Sequence, residues 1–145
     1  MGIDGPVLRR TPCIGVCSTT YGDLICRGCK RFSHEIVGWN GYTDKQREVV
    51  WERLKELHVQ AIESIVRIDN VSVFRLARSK MAVTLPDALA CLEFIRSKEV
   101  LVDIGIKVRS DLEGSTHQVL VRAIDQEFFM RSRAYYERSF KISAT

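Results

Sequence analysis

The clearest helical pattern in the chain begins at Thr43 and extends to about residue 66. Apolar side chains recur there at every third or fourth position, so they fall on one face of a helix. That face contains Val50, Leu54, Leu57, Ala61 and Ile65. Thr43 and Gln46 have the spacing of a capping box, in which each side chain bonds to the other residue's backbone N–H. We therefore predict a long helix over 43–66.

Two shorter segments also carry helix signals. Ser33 stands where it can cap a short helix that ends near Trp39, with Phe32 and Val37 as a hydrophobic staple. The sequence Thr84-Leu85-Pro86-Asp87 begins another helix, because a capping side chain is followed by an early proline and an acid. The apolar face predicted for this second helix contains Ala88, Cys91, Leu92 and Ile95.

The strongest β signal lies in 100–108, where every even position is apolar. A single strand needs a partner. We expect that partner in the 66–74 region or in a second copy of the chain, as a homodimer. The segment 70–81 fits either a strand or a helix, and we predict a helix.

A final helix is predicted from a cap at Ser115 or Thr116 to about Phe140. Its apolar stripe contains Leu120, Ile124, Phe128 and Tyr135. Taken together, the patterns predict a mainly α fold class with a small N-terminal metal knuckle and one β-strand near 100–108.

Cysteine dominates the N-terminal region of the chain. Four of the five cysteines follow the pattern C-x3-C-x8-C-x2-C, at Cys13, Cys17, Cys26 and Cys29. Four thiolates can complete a tetrahedral shell around Zn²⁺ or iron. Gly28 allows a positive φ between the last two cysteines and directs amides toward the sulfurs. We predict a four-cysteine metal module over 1–42, stabilised by the metal and packed against a mainly helical domain over 43–145.

The spacing favours zinc over iron. A zinc ion held by four thiolates carries a net charge of −2, and Arg27, Lys30 and Arg31 are placed to balance it. Iron is the alternative because it also accepts tetrahedral sulfur, although the common ferredoxin spacings are absent. His34 is an alternative ligand, but a place in the following helix is favoured. A closed shell has no position for water, which argues against a catalytic zinc.

Disulfides and thiol–disulfide exchange are the alternatives to a metal. Disulfides suit secreted proteins, but the chain shows no signal-peptide pattern and no apolar run of the roughly 18 residues that a membrane span requires. We therefore expect a reduced, cytoplasmic protein. Redox use of Cys26 and Cys29 is disfavoured because no βαβ pattern precedes them. Cys91 stands alone on an apolar face and is predicted to be a core residue.

The formal net charge of +4 comes from the two ends of the chain. In the last helix, Tyr136 stands among Arg131, Arg133 and Arg138. Single-stranded nucleic acid is bound by such basic and aromatic residues, so nucleic acid is an alternative to a protein partner. Acids on the same helix argue against membrane attachment. The scattered His34, His58 and His117 form no catalytic pattern, and His58 is expected at the surface.

Several features follow the cysteines in a fixed order: Glu35-Ile36, then Trp39, then a helix start at Thr43-Asp44-Lys45-Gln46-Arg47. With the four cysteines and their neighbours, they make residues 11–54 resemble the domain-of-unknown-function 1289 family, a bacterial family of cysteine-rich proteins. The resemblance covers about a third of the chain. Members are often labelled predicted iron–sulfur proteins, so the resemblance implies iron or an iron–sulfur cluster, and it transfers no catalytic residue.

The sequence thus predicts an intracellular, non-enzymatic metal-binding protein with an interaction or regulatory role. An iron-containing electron-transfer or redox-sensing protein is the first alternative. A nucleic-acid-binding adaptor is the second.

Overall fold

The computed structural model of the protein describes residues 11–14 and 17–140. These residues form five α-helices and one antiparallel pair of strands: α1 Ser33–Gly38, α2 Asp44–Ile65, β1 Val66–Ile68, α3 Val71–Arg78, α4 Asp87–Arg96, β2 Ile106–Val108 and α5 His117–Ser139. Short 3-10 turns occupy Ser18–Tyr21, Trp39–Gly41, Leu101–Ile104 and Ser110–Leu112. The predicted mainly α fold with a minor β component is confirmed.

The described residues fall into two compact units. One comprises the described residues up to Leu57 together with those from Phe129 onward, and the other comprises His58–Phe128. Helices α2 and α5 each contribute residues to both units. The sequence predicts a different division, into a metal-binding module over 1–42 and a helical domain over 43–145. That division depends on a bound metal, and it stays a prediction. Within 11–14 and 17–140, no helix has both the length and the apolar character needed to cross a membrane.

Helix α2 forms as the sequence predicts. Thr43 N–H donates to the Gln46 side chain at 2.8 Å, and Gln46 N–H donates to Thr43 Oγ1 at 3.1 Å, which completes the capping box. Every member of the predicted apolar stripe is buried. The burial of this face gives the helix most of its stability, because the propensity of an isolated helix is small.

We expect Thr43→Ala to lower the free energy of unfolding by about 1 kcal/mol, because the first turn of α2 loses its side-chain acceptor. Chemical denaturation followed by far-UV circular dichroism measures the change. Thr84→Ala is the matched control, since Thr84 is exposed and α4 begins later, at Asp87. An equal loss in both variants would contradict the role of the cap.

Helix α1 begins differently from the prediction. Phe32 occupies the N-cap position, and its N–H donates to the Glu35 carboxylate at 2.9 Å, so Ser33 is the first helical residue rather than the cap. Val37 is 87% exposed whereas Phe32 is fully buried, and the predicted staple between them is therefore wrong. The burial of Phe32 fixes the helix in an orientation that leaves Val37 in solvent.

Helix α4 also starts later than the predicted cap at Thr84 suggests. Pro86 is its N-cap residue, and Asp87 opens the helix and forms an ion pair with Arg78. The cap predicted at Thr84 is wrong, because the fixed φ of proline serves as the entry to the helix. The predicted apolar face is buried, including Cys91 at 2% exposure, so its assignment to the core is confirmed.

The strand predicted over 100–108 is only partly present. Residues Leu101–Ile104 form a 3-10 turn, and only Ile106–Val108 are extended. The partner lies within the chain, as one of the two alternatives predicted: Val66 pairs with Val108, Arg67 with Lys107, and Ile68 with Ile106. Gly105 separates turn from strand with a φ of +79°, which interrupts the alternation.

Helices α3 and α5 agree with the predictions for 70–81 and for the C-terminal region. The Asn70 side chain caps α3 by accepting from Val73 N–H at 3.2 Å, and Thr116 caps α5 by accepting from Val119 N–H at 3.2 Å. The placement of His58 at the surface is wrong. Its ring is half-buried and stacks on Phe128 at 4.6 Å between centroids.

Candidate metal centre

A tight hairpin carries the last two candidate ligands. Ile25 and Phe32 form an antiparallel bridge, and Cys26 N–H donates to Arg31 O at 2.9 Å. The turn closes where Lys30 N–H donates to Cys26 O at 2.8 Å. Cys26 and Cys29 are therefore held at one tip, by backbone bonds that do not depend on their sulfurs. Ile25, Cys26, Cys29 and Phe32 are all buried.

The sulfur of Cys26 is surrounded by hydrogen-bond donors. Burial raises the pKa of this thiol, but the backbone N–H groups of Cys29, Ser18 and Gly28 donate to the sulfur, as does the side chain of Cys29. Together they lower its pKa from 9.0 to about 7. Donors aimed at a sulfur favour the thiolate, which is the form that binds metals.

The sulfur of Cys29 faces a buried cation. Arg31 is 4% exposed, its Nε donates to Cys29 Sγ at 3.4 Å, and its guanidinium carbon lies 4.8 Å from the centroid of the Trp39 ring. Burial raises the pKa of Cys29, against the opposing effect of Arg31. Among the residues that the structure describes, Cys29 is the one ionisable acid in contact with this guanidinium.

Lys30 completes the tip of the hairpin. It is 1% exposed and has a φ of +68°, and its Nζ donates to two carbonyl oxygens, those of Arg27 and Gly28. The positive φ predicted at Gly28 therefore falls at Lys30. The N–H of Gly28 is one of the donors to the sulfur of Cys26.

The first two cysteines lie on a separate segment that touches this hairpin through Ser18. Ser18 Oγ accepts from Arg27 N–H at 2.8 Å, while Cys17 Sγ and Thr19 Oγ1 share a hydrogen bond of 2.8 Å. Cys13 N–H donates to Thr11 Oγ1 at 3.2 Å. Over 11–14 and 17–140, no three cysteine, histidine or acidic side chains converge closely enough to hold a metal ion. The structure thus brings Cys26 and Cys29 together without gathering the complete predicted ligand set.

The donor chemistry of the hairpin fits a metal–thiolate centre. The described cysteines are free thiols rather than disulfides. The sulfur of Cys26 has convergent amide donors, and that of Cys29 has a buried guanidinium. Both features stabilise negative charge on sulfur. A bound cation would displace the thiol protons and keep both sulfurs in the thiolate form.

An ion pair near the hairpin was missed at the sequence level. Both Arg53 and Glu35 are buried in this pair, with side chains 9% and 6% exposed. Arg53 Nη2 donates to Glu35 Oε1 at 2.8 Å, and the guanidinium lies 4.0 Å from the centroid of the Phe32 ring. The position of Glu35 three residues after Phe32 signals a role at a helix start. No sequence pattern links it to Arg53, which is eighteen residues away.

The residues proposed for partner binding on α5 make separate contacts with other side chains. Tyr136 packs edge-on against Phe32 at 5.0 Å, and Arg133 forms an exposed pair with Glu137 at 3.6 Å. Arg138 lies 6.0 Å from the centroid of the Tyr135 ring, and Arg131 is part-exposed. The alternative ligand His34 lies in α1, with its ring 5.0 Å from that of Phe140.

The N-terminal part of the chain is similar to a known family. Residues 11–58 match the model of a family described as Protein of unknown function (DUF1289). We refer to these matching residues, 11–58, as the DUF1289 region. The resemblance inferred from the cysteines, Trp39 and the helix start is confirmed, and the DUF1289 region contains all four candidate ligands together with α1 and most of α2. No curated protein and no solved structure matches the chain.

Proposed function

We propose that the DUF1289 region binds one metal centre through Cys13, Cys17, Cys26 and Cys29, and that the loaded region acts as an interaction or regulatory module. The observation that carries this proposal is the buried Arg31 guanidinium against Cys29 Sγ. An arginine side chain keeps its charge, and a buried charge without an opposite partner is strongly destabilising. A thiolate at Cys29 supplies that partner, and a metal ion keeps the thiolate deprotonated.

Among the residues that the structure describes, the alternatives without a metal supply no negative charge to this guanidinium. A protonated Cys29 is neutral, and so is a disulfide between Cys26 and Cys29. In the disulfide, the amide donors around Cys26 would also have no anion to stabilise. A metal held by thiolates provides an anionic sulfur both for the Arg31 guanidinium and for the amide donors around Cys26. For this reason we favour a metal over thiol–disulfide chemistry.

We favour zinc as the metal, with iron or an iron–sulfur cluster as the alternative. Two short cysteine pairs suit a structural zinc site, in which four thiolates leave a net charge of −2. Elemental analysis and a visible spectrum of anaerobically purified protein separate the two. Stoichiometric zinc without visible absorbance supports the zinc module, whereas iron with visible absorbance would assign an electron-transfer or redox-sensing role.

The apolar surface beside the cysteines favours a protein as the partner of this module. Ile14, next to Cys13, is 62% exposed, and Leu24, two residues before Cys26, is 55% exposed. A partner protein would bury these side chains with a favourable hydrophobic contribution. On α5, by contrast, the ring of Tyr136 is engaged by Phe32, which lowers its value as a stacking platform for nucleic acid.

We expect Cys26→Ser to lose the bound metal, because it removes a ligand and the sulfur at which the hairpin amides converge. Metal content per chain, measured after gel filtration in reducing buffer, tests this. Cys91→Ser is the matched control, because Cys91 is buried in α4 and is not part of the hairpin or of the predicted ligand set. This variant should retain the metal content of the wild type. A Cys26→Ser protein with full metal occupancy would refute the ligand assignment.

A further inference from the structure

The lysine at the tip of the cysteine hairpin is almost completely buried. Its Nζ donates to Arg27 O at 2.6 Å and to Gly28 O at 3.0 Å. Burying an amino group is unfavourable unless it is hydrogen-bonded. These two bonds stabilise the Lys30 side chain inside the turn, directly behind the segment that joins Cys26 to Cys29.

The two carbonyls belong to the same peptide groups that donate to Cys26. The carbonyl of Arg27 shares a peptide plane with the N–H of Gly28, and the carbonyl of Gly28 shares one with the N–H of Cys29. The described residues contain no cis peptide bond, and in a trans peptide the C=O and N–H point in opposite directions. A donor that holds both oxygens on one side therefore directs both N–H groups toward the sulfur on the other.

We infer that Lys30 is a positioning residue of the proposed metal centre: it orients the Gly28 and Cys29 amides toward the sulfur of Cys26. This inference rests on the proposed function of the cysteines. The Nζ contacts also polarise the two peptide groups, which strengthens each N–H as a donor because linked hydrogen bonds reinforce one another.

The backbone at this position gives an independent reason to assign the role to the side chain. With a φ of +68°, Lys30 adopts a conformation that glycine adopts without steric cost. A residue needed only for the shape of the turn would be best as glycine. The lysine accepts this conformation while placing its amino group against the two carbonyls.

Two substitutions separate the amino group from the backbone conformation. Lys30→Met keeps most of the side-chain volume, whereas Lys30→Gly also relieves the positive φ. We measure Co²⁺ affinity of the full chain by competition with a chelator in reducing buffer. Both variants should bind Co²⁺ about 10- to 100-fold more weakly, the usual effect of removing a group that orients a ligand. Lys55→Met, a substitution of an exposed lysine on α2, should bind as the wild type does.

The spectrum of the cobalt protein provides a second readout. At saturating Co²⁺ the sulfur-to-cobalt charge-transfer band should shift in both Lys30 variants, because weaker N–H donors leave more electron density on the sulfur. This band is measured on the loaded protein, so it also tests a variant whose metal-free form is loosened.

The outcomes distinguish this inference from the proposal on which it rests. A wild-type chain that takes up no Co²⁺ would overturn the metal site and the role of Lys30 together. If the wild type binds Co²⁺ and Lys30→Gly binds it equally or more tightly with an unchanged band, the metal site stands and the role of Lys30 is overturned.

Discussion

Gly105→Ala is expected to destabilise the unit that contains β1, β2 and α3 by about 2–5 kcal/mol. Gly105 has a φ of +79°, which costs a residue with a Cβ about 1–2 kcal/mol. In addition, a Cβ at this position would lie 2.4 Å from Asn70 O, a backbone atom that cannot move aside as a side chain can. Overpacking of this kind adds about 1–3 kcal/mol.

The surroundings of Gly105 explain why the backbone cannot yield there. Its carbonyl accepts from Asp69 N–H at 2.7 Å and from Asn70 N–H at 3.1 Å. Asn70 in turn caps α3 through its side chain. A shift that relieved the contact would therefore disturb the end of the sheet and the start of α3 at once.

Gly114→Ala is the matched control for this prediction. Gly114 has nearly the same φ, +80°, but a Cβ there would meet no atom within 4 Å. Its cost should be limited to the conformational part, about 1–2 kcal/mol. Chemical denaturation of both variants gives the difference, and amide exchange of β1 and β2 locates it. Equal losses for the two variants would show that the close approach to Asn70 does not matter.

The same glycine shows why the strand near 100–108 was predicted only in part. Alternation of apolar residues indicates an extended chain when the alternate side chains share a buried face. Here Val102 is 78% exposed while Ile106 is 3% exposed, so the even positions do not share one environment. A glycine inside the alternation was the available signal that the segment turns, and the approach of Asn70 was not visible in the sequence.

The helices could be predicted because their signals are local. The stripe of α2 and the capping box at Thr43 depend on residues within a few turns of each other. The start of α1 depends instead on the complete burial of Phe32 among distant aromatic rings, including Tyr136 and Phe140. Packing of that kind overrides the preference of Ser33 for a capping position.

The candidate site likewise has features that follow from local sequence and features that depend on distant contacts. The closeness of Cys26 and Cys29 follows from their spacing, and Lys30 and Arg31 were selected as neighbouring cations. Their different uses could not be predicted, because one side chain turns back onto carbonyls and the other reaches a sulfur and an indole ring. The approach of the first cysteine pair to the second is non-local, so no local signal could predict it. Under the proposed function it would form together with the bound metal, as such sites do.

The second large effect is expected at the buried pair of Glu35 and Arg53. Glu35→Ala should lower the free energy of unfolding by about 3–5 kcal/mol, because it leaves the Arg53 charge buried without its carboxylate. It also removes the acceptor for the Phe32 N–H at the start of α1. Chemical denaturation measures the loss. Arg133→Ala is a suitable control, since its pair with Glu137 is exposed and should contribute little.

A double substitution tests whether the loss arises from the stranded charge. Glu35→Leu combined with Arg53→Met removes both charges and keeps apolar volume, so it should recover most of the stability lost in Glu35→Ala. The pair is imperfect in its present form: Arg53 Nε is buried without a hydrogen-bond partner among the described residues. Removing the unpartnered Nε of Arg53 therefore offsets part of the attraction lost between Arg53 and Glu35.

Recovery in the double variant should nevertheless be incomplete by about 1 kcal/mol, because the Phe32 N–H still lacks its acceptor. A double-mutant cycle built from the two single variants and the double variant gives the coupling energy. Strong coupling would make the pair a device of charge compensation within the DUF1289 region. If instead the double variant is less stable than Glu35→Ala, the contact of Arg53 with the Phe32 ring matters more than its charge.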